Sequence, residues 1–189
     1  MIMTRALFLV SLLSTTLAIS AIGQTLPPGM TMHRVQAGEP DTSGWMLASS
    51  TEGGFSVRLP LKFNDFTIAE SDPKAPTARL FVVGGKSEEG IKLTATRIVY
   101  RKGAESAKHF FSRFEKGLDL KPERITPQKV GERPAVDIVL KRASDVGYQR
   151  AVLLDSDLIL MIIESPRSRD ATTQQLATPF FDSLVVSVR

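Results

Sequence analysis

Between residues 135 and 165 the chain reads AVDIVLKRASDVGYQRAVLLDSDLILMIIES, three apolar segments separated by two short polar breaks. In an extended chain successive side chains point to opposite faces, so Leu158, Leu160 and Ile162 share one face and Ile159, Met161 and Ile163 the other. Both faces are apolar. A strand with one wet face would alternate apolar with polar, so this one is expected in the middle of a sheet that is covered above and below. Asp155-Ser156-Asp157 separates it from the apolar run 151–154, and two such runs around a short Asp/Ser break predict a β-hairpin. Upstream, Val136, Ile138 and Leu140 share a face while Asp137 and Lys141 interrupt the pattern, which places that strand nearer an edge. Residues 145–147 are expected as the turn leading to Tyr148.

The remaining pattern supplies further elements. Residues 45–49 predict a short strand that includes Trp45, expected as a core plug at the sheet's end. Glu52-Gly53-Gly54 is a turn, after which Phe55, Val57 and Leu59 alternate with Ser56 and Arg58 until Pro60. Residues 61–75 read as a connection, 79–83 and 91–100 as strands, and 84–90 as a mobile hairpin loop between them. Ala107, Phe110, Phe111, Phe114 and Leu118 form one apolar stripe at helical spacing, predicting a helix over 104–118. Residues 121–133 read as a polar connector with Ile125 and Val130 against the sheet edge. A second helix is expected from Ala171, capped by Ser168 or Asp170, running to about Ala177, with a new turn started by Pro179 because proline removes a helical hydrogen bond. Val185, Val186 and Val188 suggest a last short strand.

The N-terminus carries a different signal. Arg5 gives a positive start, an apolar run follows, and Ala21-Ile22-Gly23 offers small residues where a signal peptidase reads. Residues 1–23 are therefore expected as a secretory signal peptide cleaved near Gly23, with periplasmic or secreted localisation. The rival reading, an uncleaved anchor, has a short apolar stretch interrupted by polar residues against the roughly 20 apolar residues that span a bilayer. Residues 24–44, rich in proline and glycine, are expected as a flexible arm, and 45–189 as a single domain.

Composition narrows the chemistry. The chain has 189 residues, no cysteine and a formal net charge of +4. Without cysteine there are no disulfides, thiolate metal sites or cysteine nucleophiles, and no cysteine for a lipid anchor. The basic residues are spread along the chain, so no nucleic-acid footprint is expected. Gly84-Gly85-Lys86-Ser87 lacks the spacing and the following helix of a phosphate-binding loop. His109 sits on the wet face of the first helix and His33 in the arm, which leaves little material for nucleophilic catalysis with a histidine base. Asp155 with Asp157 is explained by the hairpin turn, and no His-rich metal motif occurs. No cofactor is expected. The residues singled out for contact with a partner are Lys86, Arg97, Arg101 and Lys102.

The order of elements, with Gly54-Phe55-Ser56-Val57-Arg58-Leu59-Pro60 after a Trp-containing start, resembles the PsbP-like superfamily over residues 45–188. Tyr100, Phe110-Phe111, Gly131-Glu132-Arg133-Pro134-Ala135 and Phe180-Phe181-Asp182-Ser183-Leu184 are further points of similarity. The resemblance implies an α+β fold, an α-β-α sandwich of a mainly antiparallel sheet with helices packed on both faces. It carries no catalytic motif. The function expected is a non-enzymatic binding or accessory protein of the bacterial cell envelope, with an envelope protein as partner. The alternative is a carrier of a small apolar ligand or lipid in a helix–sheet cleft lined by Phe63, Phe66, Phe110 and Phe114.

Overall fold

A computed structural model of the chain describes residues 26–118 and 120–187. The leader read over residues 1–23 lies outside the described residues. Eleven strands and two helices follow in order: β1 (Met30–Ala37), β2 (Met46–Ser49), β3 (Phe55–Leu59), β4 (Phe63–Ala69), β5 (Thr77–Lys86), β6 (Lys92–Tyr100), α1 (Ala104–Glu115), β7 (Arg124–Val130), β8 (Arg133–Lys141), β9 (Asp145–Leu153), β10 (Asp157–Pro166), α2 (Asp170–Asp182) and β11 (Val185–Val186). Eight of the strands form one sheet in the order β1-β4-β5-β6-β10-β9-β8-β7, and β11-β3-β2 form a second. Every pairing is antiparallel.

The strand with two apolar faces, β10, lies between β6 and β9, as its pattern requires. Its alternate residues enter separate apolar clusters. Leu158, Leu160 and Ile162 pack in one with Phe111 and Phe114 of α1. Ile159, Met161 and Ile163 pack in the other with Phe180 and Phe181 of α2 and with Phe55, Val57 and Leu59 of β3. The connectivity accounts for this arrangement. The chain leaves β6 in mid-sheet and resumes at the far edge in β7, so α1 crosses β10 and β9 on the way. After β10 the chain crosses the opposite face as α2 and ends in β11 against β3.

Several expectations change. The arm read over residues 24–44 contains β1, which pairs with β4 along the sheet edge. The connection 61–75 contains β4, and the polar connector 121–133 contains β7, the opposite edge. Proline 127 is tolerated there because an edge strand has ladder positions that need no donor. The loop 84–90 becomes residues 87–91, since β5 runs through Lys86 and β6 begins at Lys92. Its glycines serve close approach: a Cβ on Gly85 would stand 2.2 Å from the Lys62 carbonyl oxygen, and one on Gly84 would stand 2.5 Å from that of Leu93. Residues 145–147 open β9 and do not turn. The second helix does not stop at Ala177 but continues through Pro179 to Asp182, with Ala177, Phe180 and Phe181 buried.

Candidate functional site

The four residues proposed for partner contact do not meet on one surface. Lys86 lies opposite Lys92 at one end of the β5–β6 pair, whereas Arg101 follows Tyr100 at the other. Eight residues at about 3.4 Å each separate the two ends by roughly 27 Å. Arg97 is engaged within the fold: its Nε and Nη2 donate to Asp157 Oδ2 at 2.8 and 2.6 Å, and its Nη1 donates to the Gly53 carbonyl at 2.9 Å. It ties β6 and β10 to the turn between β2 and β3. Arg101 donates to the carbonyls of Glu70 and Asp72, fixing the β4–β5 connection. Lys102 is exposed beside the start of α1.

The basic surplus is also less dispersed than the whole-chain view suggests. Eight basic and four acidic residues stand between positions 101 and 129, a surplus equal to the +4 of the entire chain. On α1 itself Lys108 and His109 are exposed, together with Glu105 and Glu115, and Lys116 is exposed just past its end.

The densest polar cluster lies where β1 and β4 meet the β2–β3 turn. Asp65 on β4 is fully buried. Its Oδ2 accepts from Arg34 Nε and Nη2 at 3.1 and 2.9 Å, and from the Thr51 amide and hydroxyl at 3.0 and 2.5 Å. Its Oδ1 is buried and has no hydrogen-bond partner among the described residues. The Arg34 guanidinium also stands 5.2 Å over the Phe63 ring. Two residues along, His33 Nε2 lies 2.9 Å from Thr67 Oγ1, and that hydroxyl donates to Glu52 Oε2 at 3.2 Å. His33 thus leaves the arm expected for it and becomes part of a clasp.

Other charged groups join elements in the same way. Arg150 on β9 bridges Asp137 of β8, at 2.7 Å, and Asp182 of α2, at 3.0 Å, and lies over the Phe181 ring. Burial works against its charge, but the two carboxylates outweigh it and its pKa is raised. Tyr148 donates to Asp170 at the start of α2 at 2.5 Å, and Lys141 Nζ lies 3.1 Å from the same carboxylate. The hydrogen bond from Tyr148 holds Asp170 below the usual carboxylate range. Desolvation, and then Asp170 itself, raises the Tyr148 pKa above the tyrosine range. Among the described residues no group of three or more His, Asp or Glu is placed to hold a metal ion.

The four phenylalanines of the proposed cleft are divided. Phe63 packs on the face that carries α2 and β3, whereas Phe66, Phe110 and Phe114 pack on the face of α1. The spacing 63 to 66 puts them on opposite sides of β4, a consequence hidden while that segment is read as a connection. Sequence reasoning also missed Arg34, Asp65 and Thr67. A signal was present: Asn64-Asp65 interrupts an apolar run, and a strand with such polar residues at buried positions needs partners from elsewhere in the fold.

A scan against protein-family models finds no match to the chain, and a search of curated proteins finds none either. Among solved structures the fold is similar to cyanobacterial PsbP (CyanoP) from Synechocystis sp. PCC 6803, at 11% identity and a TM-score of 0.43, covering 89% of this chain and 98% of that one. It is also similar to LpqN, involved in cell envelope biogenesis of Mycobacterium tuberculosis, at 10% identity and a TM-score of 0.36, covering 86% of this chain and 87% of that one. No residue role is carried over from either. No helix among the described residues is long and apolar enough to cross a membrane.

Proposed function

We propose that the chain is an exported, non-enzymatic accessory protein of the bacterial cell envelope, built on a PsbP-like α-β-α sandwich and released from its leader near Gly23. What supports the reading is the use made of charged side chains: Arg97, Arg34 and Arg150 each bridge two or three elements through buried or half-buried carboxylates. Groups so engaged hold layers together. Lys102, Lys108 and Lys116 are exposed beside and along α1, in the stretch that holds the chain's basic surplus. That surface, with Lys102, Lys108 and Lys116 at its centre, is where an envelope partner of opposite charge docks. Lys86 and Arg97 fall outside it.

Affinity capture of the tagged chain from crosslinked envelopes of its native host tests the proposal. One protein recovered near one-to-one, and lost when Lys102, Lys108 and Lys116 are changed together to Glu, is the expected result. Recovery that is unaffected by the triple change would remove the docking surface, and the absence of any reproducible partner would remove the accessory role. The mature N-terminus, read by mass spectrometry, tests the export step separately.

A further inference from the structure

Strand β1 holds its place largely through polar contacts. Met30 is its one buried apolar side chain, with Met32 and Ala37 partly buried against the two cores. Against β4 it contributes the Arg34–Asp65 pair, the His33–Thr67 contact and a hydrogen bond from the Gln36 amide to Asn64 Oδ1 at 2.9 Å. Its ladder with β4 shifts register twice, between Met32 and Arg34 and between Arg34 and Ala37. Gln36 has a φ of 48°, a left-handed conformation that L side chains disfavour. Beneath it Asp65 Oδ1 is left without a partner. The seated strand therefore keeps an irregular ladder, a disfavoured backbone and an orphaned carboxylate oxygen. On its other side β4 is paired continuously with β5 from Asn64 to Ala69 and stays in the sheet without β1.

An uncovered β4 would present Asn64, Asp65 and Thr67 along an open edge, and these polar groups reject an apolar strand. Within this protein β1 brings Arg34 to Asp65, His33 to Thr67 and the Gln36 amide to Asn64, beside the contacts that Thr51 and Glu52 make from the β2–β3 turn. We infer that β1 exchanges between two copies of this chain: the β1 of each molecule seats on the β4 of the other, giving a closed, two-fold dimer. The hinge is residues 38–40, which begin with Gly38 at a φ of 116°. The next residues stay in place, because Asp41 is bound by Arg58 of β3.

The absence of cysteine allows a clean test, since introduced thiols are then the only ones. Thr31 and Thr67 are register partners on β1 and β4. In T31C/T67C, oxidised at high dilution, each β1 is stapled to its own β4. Light scattering of the unmodified protein should show the molar mass doubling as concentration rises, and the oxidised double variant should lose that doubling. When isotopically labelled T31C is mixed with unlabelled T67C and oxidised, a disulfide should form between labelled and unlabelled copies. Met30 and Ile68, the adjacent register pair, provide M30C/I68C if T67C does not fold. A protein that stays monomeric at every concentration overturns the inference, and so does a dimer that persists when β1 is stapled, because its contact would lie elsewhere.

Discussion

Tyr100 ends β6 with its hydroxyl buried and without a hydrogen-bond partner, while its ring packs 6.2 Å from that of Phe110. An unsatisfied buried hydroxyl costs about 1–3 kcal/mol relative to one left in water, and its removal leaves the ring contacts in place. Tyr100→Phe is expected to raise stability by up to about 1 kcal/mol, read as a higher midpoint in urea with an unchanged slope. A loss of stability instead would mean that the hydroxyl finds a bonded partner such as an ordered water. Asp65 poses the opposite case. One of its oxygens collects four donors, so removing the carboxylate strands Arg34 and the Thr51 amide together. Asp65 is buried but the Arg34 side chain is 37% exposed, so the loss is that of a buried carboxylate's hydrogen bonds, about 1–3 kcal/mol. Asp65→Ala should lower the urea midpoint more than the exposed change Asp182→Asn, which disturbs a surface pair worth at most about 1 kcal/mol.

At the scale of elements, α2 is held by packing strongly enough to contain a proline. Pro179 lacks an amide hydrogen for the carbonyl four residues earlier and costs about 3 kcal/mol relative to Ala in a helix interior. It is itself exposed, so its ring contributes little to the core. Pro179→Ala should therefore stabilise the protein by about 1–3 kcal/mol, seen as a rise in Tm. Phe180, fully buried beside it, should cost about 3–5 kcal/mol when truncated to Ala. The same contrast explains what could be read from the sequence. Strands whose buried positions are mostly apolar, β3, β6 and β10, declare themselves by alternation or by branched runs. Strands β1, β4 and β7 do not: β1 and β7 are exposed edges, and β4 buries Asn64, Asp65 and Thr67 because distant residues satisfy them. Those partners, Arg34, Thr51 and His33, come from segments 14 to 34 positions away, and no local period encodes them. The clasp was illegible for that reason, and the expected stop at Ala177 failed because tertiary packing overrode a local helix breaker.

For the whole molecule the titrating groups set a window of stability. Asp41 is lowered to about 2, chiefly by the Ser43 hydroxyl, with the amides of Ser43 and Trp45 and the Arg58 guanidinium also lowering it. Asp170 is lowered by Tyr148. A carboxyl depressed in the folded state binds protons less readily than in the unfolded chain. Its contribution is complete above the unfolded value of about 4 and is lost as pH falls through the folded one. Tyr148 and Tyr100 act at the other end. Burial raises both above the tyrosine range, so the folded state favours the neutral phenol. That contribution is present below pH about 10 and fades as pH rises past it, because the unfolded chain ionises first. Stability measured against pH should thus be flat across neutrality, fall below pH about 4, and fall again above about 10. Asp41→Asn separates the local source from the global one. If the loop at 41–45 supplies part of the acid limb, the variant loses stability at neutral pH but declines less steeply between pH about 4 and 2, so the two curves converge in acid. Parallel curves would show that Asp41 titrates alike in the folded and unfolded chains, and the acid limb would then rest on Asp170.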